Sequence, residues 1–163
     1  MKTMASMLIA LLLVAGCGLV NSNTSGNGNV SASFSLTDTT ARADTAFAPG
    51  QNFYMTFLLI NTAGKTVTYT SVDVPVINFE ILQGDSVIGG NVFAVSNISN
   101  PLPIKLLPGD TLRGSCEAPL YMVGFHGKPL VLAPGSYIAK ATYPQISGAN
   151  VSGASGAGFA VHQ

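Results

Sequence analysis

From Val30 onward no segment keeps an apolar period of 3.6 past two turns; instead β-branched and aromatic residues recur in short runs separated by Gly, Pro and Asn. That pattern confines the chain to an all-β fold. The clearest strand is Thr66-Val67-Thr68-Tyr69-Thr70, where Val67 and Tyr69 share one face and the threonines the other, as expected of a sheet with one wet side. Asn61-Thr62-Ala63-Gly64-Lys65 before it reads as a hairpin turn, and the strand feeding that turn, Phe53 to Ile60, is apolar on both faces and therefore central. Pro75 to Leu82 continues the alternation with Ile77, Phe79 and Ile81 inward and Asn78 and Glu80 outward. Further strands are expected at Val87 to Val95, Thr111 to Glu117, Tyr137 to Tyr143 and Gly158 to His162, with turns at Pro108-Gly109-Asp110 and Pro134-Gly135-Ser136. Strands at this spacing predict one antiparallel β-sandwich of about seven to nine strands.

The residues before Val30 follow different rules. Lys2 supplies a positive charge ahead of an apolar run of about ten residues, Met7 to Gly16, too short for a membrane span of about 20 residues and the right length for the core of a secretory signal peptide. Val14-Ala15-Gly16-Cys17 resembles the lipobox of bacterial lipoproteins, which implies removal of residues 1–16 and lipid attachment at Cys17. The several acyl chains added there would hold the chain stably on a membrane, where one chain gives only marginal binding. Gly18 rather than aspartate follows the cysteine, and in a Gram-negative host the resemblance implies an outer-membrane address. Leu19 to Asn29 is Ser, Asn, Thr and Gly with little to bury, a flexible tether spanning roughly 18 Å. The expected organisation is a signal peptide at 1–16, lipidated cysteine and tether at 17–28, and a single domain at 29–163 in the cell envelope.

Charged residues are only 9% of the chain, and seven Lys and Arg balance seven Asp and Glu. A typical soluble protein carries about 25%. Without a basic stripe to neutralise phosphates, nucleic-acid binding is not expected, and near-neutrality gives little long-range steering toward any charged partner. Recognition must rest on shape and short-range contact.

The turns and strands together resemble the BsuPI-type intracellular proteinase inhibitor family. The likeness is carried by Asn61-Thr62-x-Gly64-Lys65-x-Val67-Thr68, by Leu107-Pro108-Gly109-Asp110, and by Ala133-Pro134-Gly135-Ser136-Tyr137 leading into Ile138 to Ala141, and it covers roughly residues 51–161. It implies an immunoglobulin-like sandwich, and proteinase inhibition as one form of protein binding. No inhibitory motif is matched, so no inhibitory residue is carried over, and an exported, anchored chain departs from the intracellular setting in the family's name.

Few residues are placed for chemistry. With Cys17 acylated, Cys116 has no disulfide partner within the chain. Alternation groups it with Leu112 and Gly114 on an inward face, away from Thr111, Arg113, Ser115 and Glu117, where a free cysteine acts as a small hydrophobe. His126 and His162 are the only histidines and stand in no metal-binding spacing, so no metal, cofactor or catalytic residue is assigned. Asp73, Glu80, Asp85 and Asp110 stand singly as solvated charges, and Ser147 to Gly158 lacks the Gly-Lys-Ser/Thr ending of a phosphate loop.

One segment stands apart. Tyr121 to Lys128 combines large side chains with Gly124 and Gly127 between strands, and sandwich loops often carry recognition. Tyr121, Met122, Phe125, His126 and Lys128 form the candidate binding loop, with core packing of the same residues as the competing reading. The expected function is a membrane-anchored, non-enzymatic module that binds or caps another envelope protein. The alternatives are self-assembly by strand addition and a hydrolase built on Cys116 and His126.

Overall fold

A computed structural model describes residues 29–71, 77–91, 102–124, 127–143, 146–147 and 149–163. Residues 1–28, which hold the expected signal peptide, Cys17 and tether, lie outside them, as do Asp73, Phe125 and His126. Among the described residues there are thirteen strands and no α-helix. The excess over seven to nine comes from short edge strands, two or three residues long, that carry no alternation of their own.

One sheet of the sandwich contains β1 (Val30–Asp38), β3 (Phe53–Asn61), β8 (Thr111–Ala118) and β12 (Val151–Gly153), in the order β12-β1-β3-β8. The facing sheet contains β2 (Ala46–Phe47), β5 (Asn78–Gln83), β6 (Ser86–Asn91), β9 (Met122–Gly124), β10 (Gly135–Thr142) and β13 (Gly156–Val161), in the order β2-β13-β10-β5-β6-β9. A smaller sheet joins β4 (Val67–Ser71) to β7 (Leu102–Leu106) and β11 (Ile146–Ser147). With β1, β3 and β8 in the A, B and E places and β5, β10 and β13 in the C, F and G places, the arrangement is that of an immunoglobulin-like sandwich. Pairing is antiparallel except at two margins, where β12 runs parallel to β1 and β2 parallel to β13.

Period-two alternation explains the core. Phe53, Met55, Phe57 and Leu59 of β3 point inward and are at most 1% exposed, and they meet Phe79 and Ile81 of β5, Tyr137, Ala139 and Ala141 of β10, and Phe159 and Val161 of β13. In place of tryptophan, aromatic rings tie the sheets together: Phe47 stacks on Phe53 at 4.3 Å, and Phe159 sits 5.0 Å from Phe53 and 5.4 Å from Tyr137. On the outward face of the first sheet the Thr56 and Ser115 hydroxyls stand 3.4 Å apart across β3 and β8, beside Leu58 and Ile60 of β3.

The turn at Asn61 to Lys65 is not a hairpin, which corrects the sequence expectation. β3 pairs with β1 and β8, whereas β4 pairs with β7 and β11, so the chain changes sheets there. β7 returns alongside and changes back at residues 107–110, so that β3–β4 and β7–β8 form one long antiparallel ribbon bent in the middle. Buried Asn61 holds the bend: its Nδ2 donates to the carbonyls of Lys65 and Leu106, both at 2.9 Å, and its Oδ1 accepts from Ala63 N. Its backbone bonds to Gly109 N and Asp110 O, while Asp110 Oδ2 accepts from Leu107 N at 2.7 Å. Two of the three stretches that carry the family resemblance thus meet at one joint. In the third, Tyr137 at the start of β10 donates from its hydroxyl to Ala133 O at 2.6 Å, the tyrosine corner of immunoglobulin-like domains.

The small residues of 147–158 have a packing role. Gly153 has φ +113°, and a Cβ there would run into the Ala32 backbone oxygen, so only glycine lets β12 lie against β1.

Candidate functional site

The far end of the ribbon, where β3 begins and β8 ends, is built differently. Register places Tyr54 opposite Glu117 on the outward face, one step from the inward pair Met55 and Cys116. After Ala118 the chain turns through Pro119 and Leu120, with Tyr121 N donating to Glu117 O and Met122 N to Pro119 O, both at 3.0 Å. This turn feeds β9, which pairs with β6 through Asn91↔Met122, Gly90↔Val123 and Gly89↔Gly124. Lys128 O then accepts from Gly124 N at 2.8 Å, and Leu130 N donates to Met122 O, folding the returning chain against β9.

β8 ends the strand order of its sheet among the described residues and β9 that of the other, the outer side of β9 being paired to the returning chain at Val123↔Pro129, and between them lies a groove of about 530 Å³. Tyr54, Cys116, Glu117, Leu120, Tyr121 and Pro129 are among the residues lining it. Leu120 and Tyr121 are 58% and 63% exposed, an unusual outlay of apolar surface for adjacent residues in a turn. The electrostatics are set by Glu117. Its negative charge, with some burial and a hydrogen bond to its carboxylate, raises the Tyr54 hydroxyl above the ordinary phenol range and holds it protonated. Burial, aided by the Glu117 charge, pushes the Cys116 thiol up to about 11. Its sulfur makes one weak contact, 3.8 Å to Glu117 O. At neutral pH this thiol stays protonated, the reverse of what an activated nucleophile requires.

The residues singled out from sequence divide accordingly. Tyr121 stands exposed at the groove; Met122 also lines it but is 2% exposed and belongs to the core; Lys128 is exposed and contributes its carbonyl to the turn. Phe125 and His126 lie outside the described residues, so the Cys116/His126 pair has no geometry to report. His162 is exposed at the end of β13, its amide donating to Phe47 O at 3.0 Å. Among the described residues no three metal-ligating side chains cluster. Sequence reasoning missed Tyr54, Glu117, Leu120 and Pro129, because their meeting depends on strand register and on two edges lying side by side. The one local signal was Tyr54, an aromatic on the outward face of a strand.

No protein-family model and no curated protein sequence matches the chain. Solved structures with some likeness include a β-glucosidase from Listeria innocua, in complex with gluconolactone, at 9% identity and TM-score 0.38, where the likeness covers 81% of this chain and 16% of that one. A β-glucosidase from Erythrobacter marinus is similar at 8% identity and TM-score 0.37, over 81% of this chain and 15% of that one.

Proposed function

We propose that this chain is an exported lipoprotein, anchored through Cys17, whose sandwich domain binds another envelope protein in the groove between β8 and β9. The observation that carries the binding site is the exposed pair Leu120 and Tyr121 beside a groove bordered by the edge strand β8 and by β9. The outer edge of β8 offers backbone hydrogen bonds to a peptide segment, and large side chains at a groove supply affinity at low entropic cost. In a domain with so few charges, such short-range contact is the available source of binding. The lipobox-like Val14-Ala15-Gly16-Cys17 and the polar tether after it supply the address.

Two exposed leucines give a matched test in native membranes. Leu120 is 58% exposed beside the groove, and Leu107 is 56% exposed at the other end of the β3–β8 ribbon. A photo-crosslinking amino acid at position 120 is expected to yield a protein adduct that Tyr121→Ala abolishes, and the same group at 107 none. Adducts at both positions, or at 107 alone, would move the binding surface elsewhere. Cys17→Ser should abolish incorporation of labelled palmitate and release the chain from the membrane.

A further inference from the structure

Among the described residues Glu117 is the one charged residue lining the groove, and none of those lining it is basic. Its carboxylate stands across the strand pair from Tyr54 and one turn from Tyr121, while Leu120, Met122 and Pro129 supply apolar wall. A carboxylate between aromatic rings, next to apolar surface and without a cation, is complementary to a side chain with a flat cationic head and an aliphatic stem. We infer that the groove recognises an arginine side chain presented by the protein partner, with the guanidinium against Glu117 and the tyrosine rings and the stem along Leu120 and Pro129. The inference rests on the groove being the peptide-binding site proposed above.

Three physical points favour arginine over other occupants. Its planar head pairs with a carboxylate through two parallel hydrogen bonds. It stacks on aromatic faces and is more weakly hydrated than ammonium, so entering a partly desolvated groove costs less. Its three-carbon stem covers apolar surface that a small cation would leave wet. Register sets the Tyr54 ring directly across from Glu117, within reach of its charge. A neutral side chain would gain nothing from that charge, and an acidic one would be repelled.

The test uses the full chain in uncharged phosphatidylcholine nanodiscs, with empty nanodiscs as blank. Fluorescence polarisation compares labelled Gly-Leu-Arg-Leu-Gly with the same peptide carrying citrulline, which keeps the shape and loses the charge. The arginine peptide should bind about tenfold more tightly, as expected of one charge-assisted hydrogen-bonded pair. The advantage should shrink with added salt and vanish in Glu117→Gln, with circular dichroism checking that variant's fold. The salt series on the unaltered chain is decisive even if that variant misfolds. Equal binding of the two peptides, with both weakened by Tyr121→Ala, would overturn the arginine inference and leave the groove as a binding site. Binding of neither peptide would overturn both.

Discussion

The two ends of the β3–β8 ribbon are made from the same pair of strands and serve opposite purposes. At the Asn61 end the buried amide is fully used within the chain: it bridges Lys65, Leu106 and Ala63, and Asp110 closes its own turn. At the Tyr54 end large side chains are left in water beside a groove, and the one carboxylate has a tyrosine rather than a cation for company. The joint's buried amide is satisfied within the chain and its exposed Leu107 lies outside the groove, whereas Leu120 and Tyr121 set exposed apolar surface beside it. The stretches that carry the family resemblance at Asn61 and Asp110 therefore account for how the sheets connect, and the surface available for binding lies about a strand's length away.

Substitution should separate the two ends. The largest effect is expected from Asn61→Ala, which removes three hydrogen bonds and strands a buried carbonyl, at a cost of about 3 kcal/mol in chemical unfolding. Arginine-peptide binding of the folded fraction should be unchanged; loss of binding in that fraction would mean that the ends are coupled. Tyr137→Phe deletes the tyrosine-corner hydrogen bond on the chain leading away from the groove and should cost about 1 kcal/mol. Tyr121→Ala should move stability by less than about 0.5 kcal/mol, as for other exposed positions, while abolishing crosslinking from position 120. A large drop in melting temperature would instead make Tyr121 a structural residue.

Cys116 supplies a pH test at the groove. Because its folded pKa is raised from 9.0 to about 11, folding favours the neutral thiol. Its contribution to stability is complete below pH 9.0 and is lost as pH rises through about 11. The unfolding midpoint should therefore fall more steeply over that window in the unaltered protein than in Cys116→Ala. Native iodoacetamide labelling should be slow at pH 7 and accelerate roughly tenfold per pH unit toward that value. Rapid labelling at pH 7 would show a thiol far more exposed than its place at the groove floor allows.

Much of the sandwich was legible because period-two alternation survives wherever one face is buried. Phe53 to Ile60, Ile77 to Ile81 and the inward placement of Cys116 could be read from polarity alone. β7 was not, since Pro101 and Pro103 look like breakers; as an edge strand it tolerates proline, whose missing amide need not face a neighbour. The sheet change at Asn61 looks like a hairpin in sequence because a turn's sequence gives its local bend and not which strand the chain pairs with afterwards. The site was half legible for the same reason. Tyr121 stands out in one dimension, but its neighbours Tyr54 and Glu117 are brought to it only by the register Tyr54↔Glu117 and the adjacency of two sheet edges.

The division of labour along the ribbon is open to direct measurement by amide hydrogen exchange of the full chain, compared between native membranes and purified protein in nanodiscs. Exchange should be slower in native membranes at residues 115–124, where β8 ends and β9 begins, with no change at residues 61–65 and 107–110. Protection at the Asn61 joint, or no difference anywhere, would contradict this division.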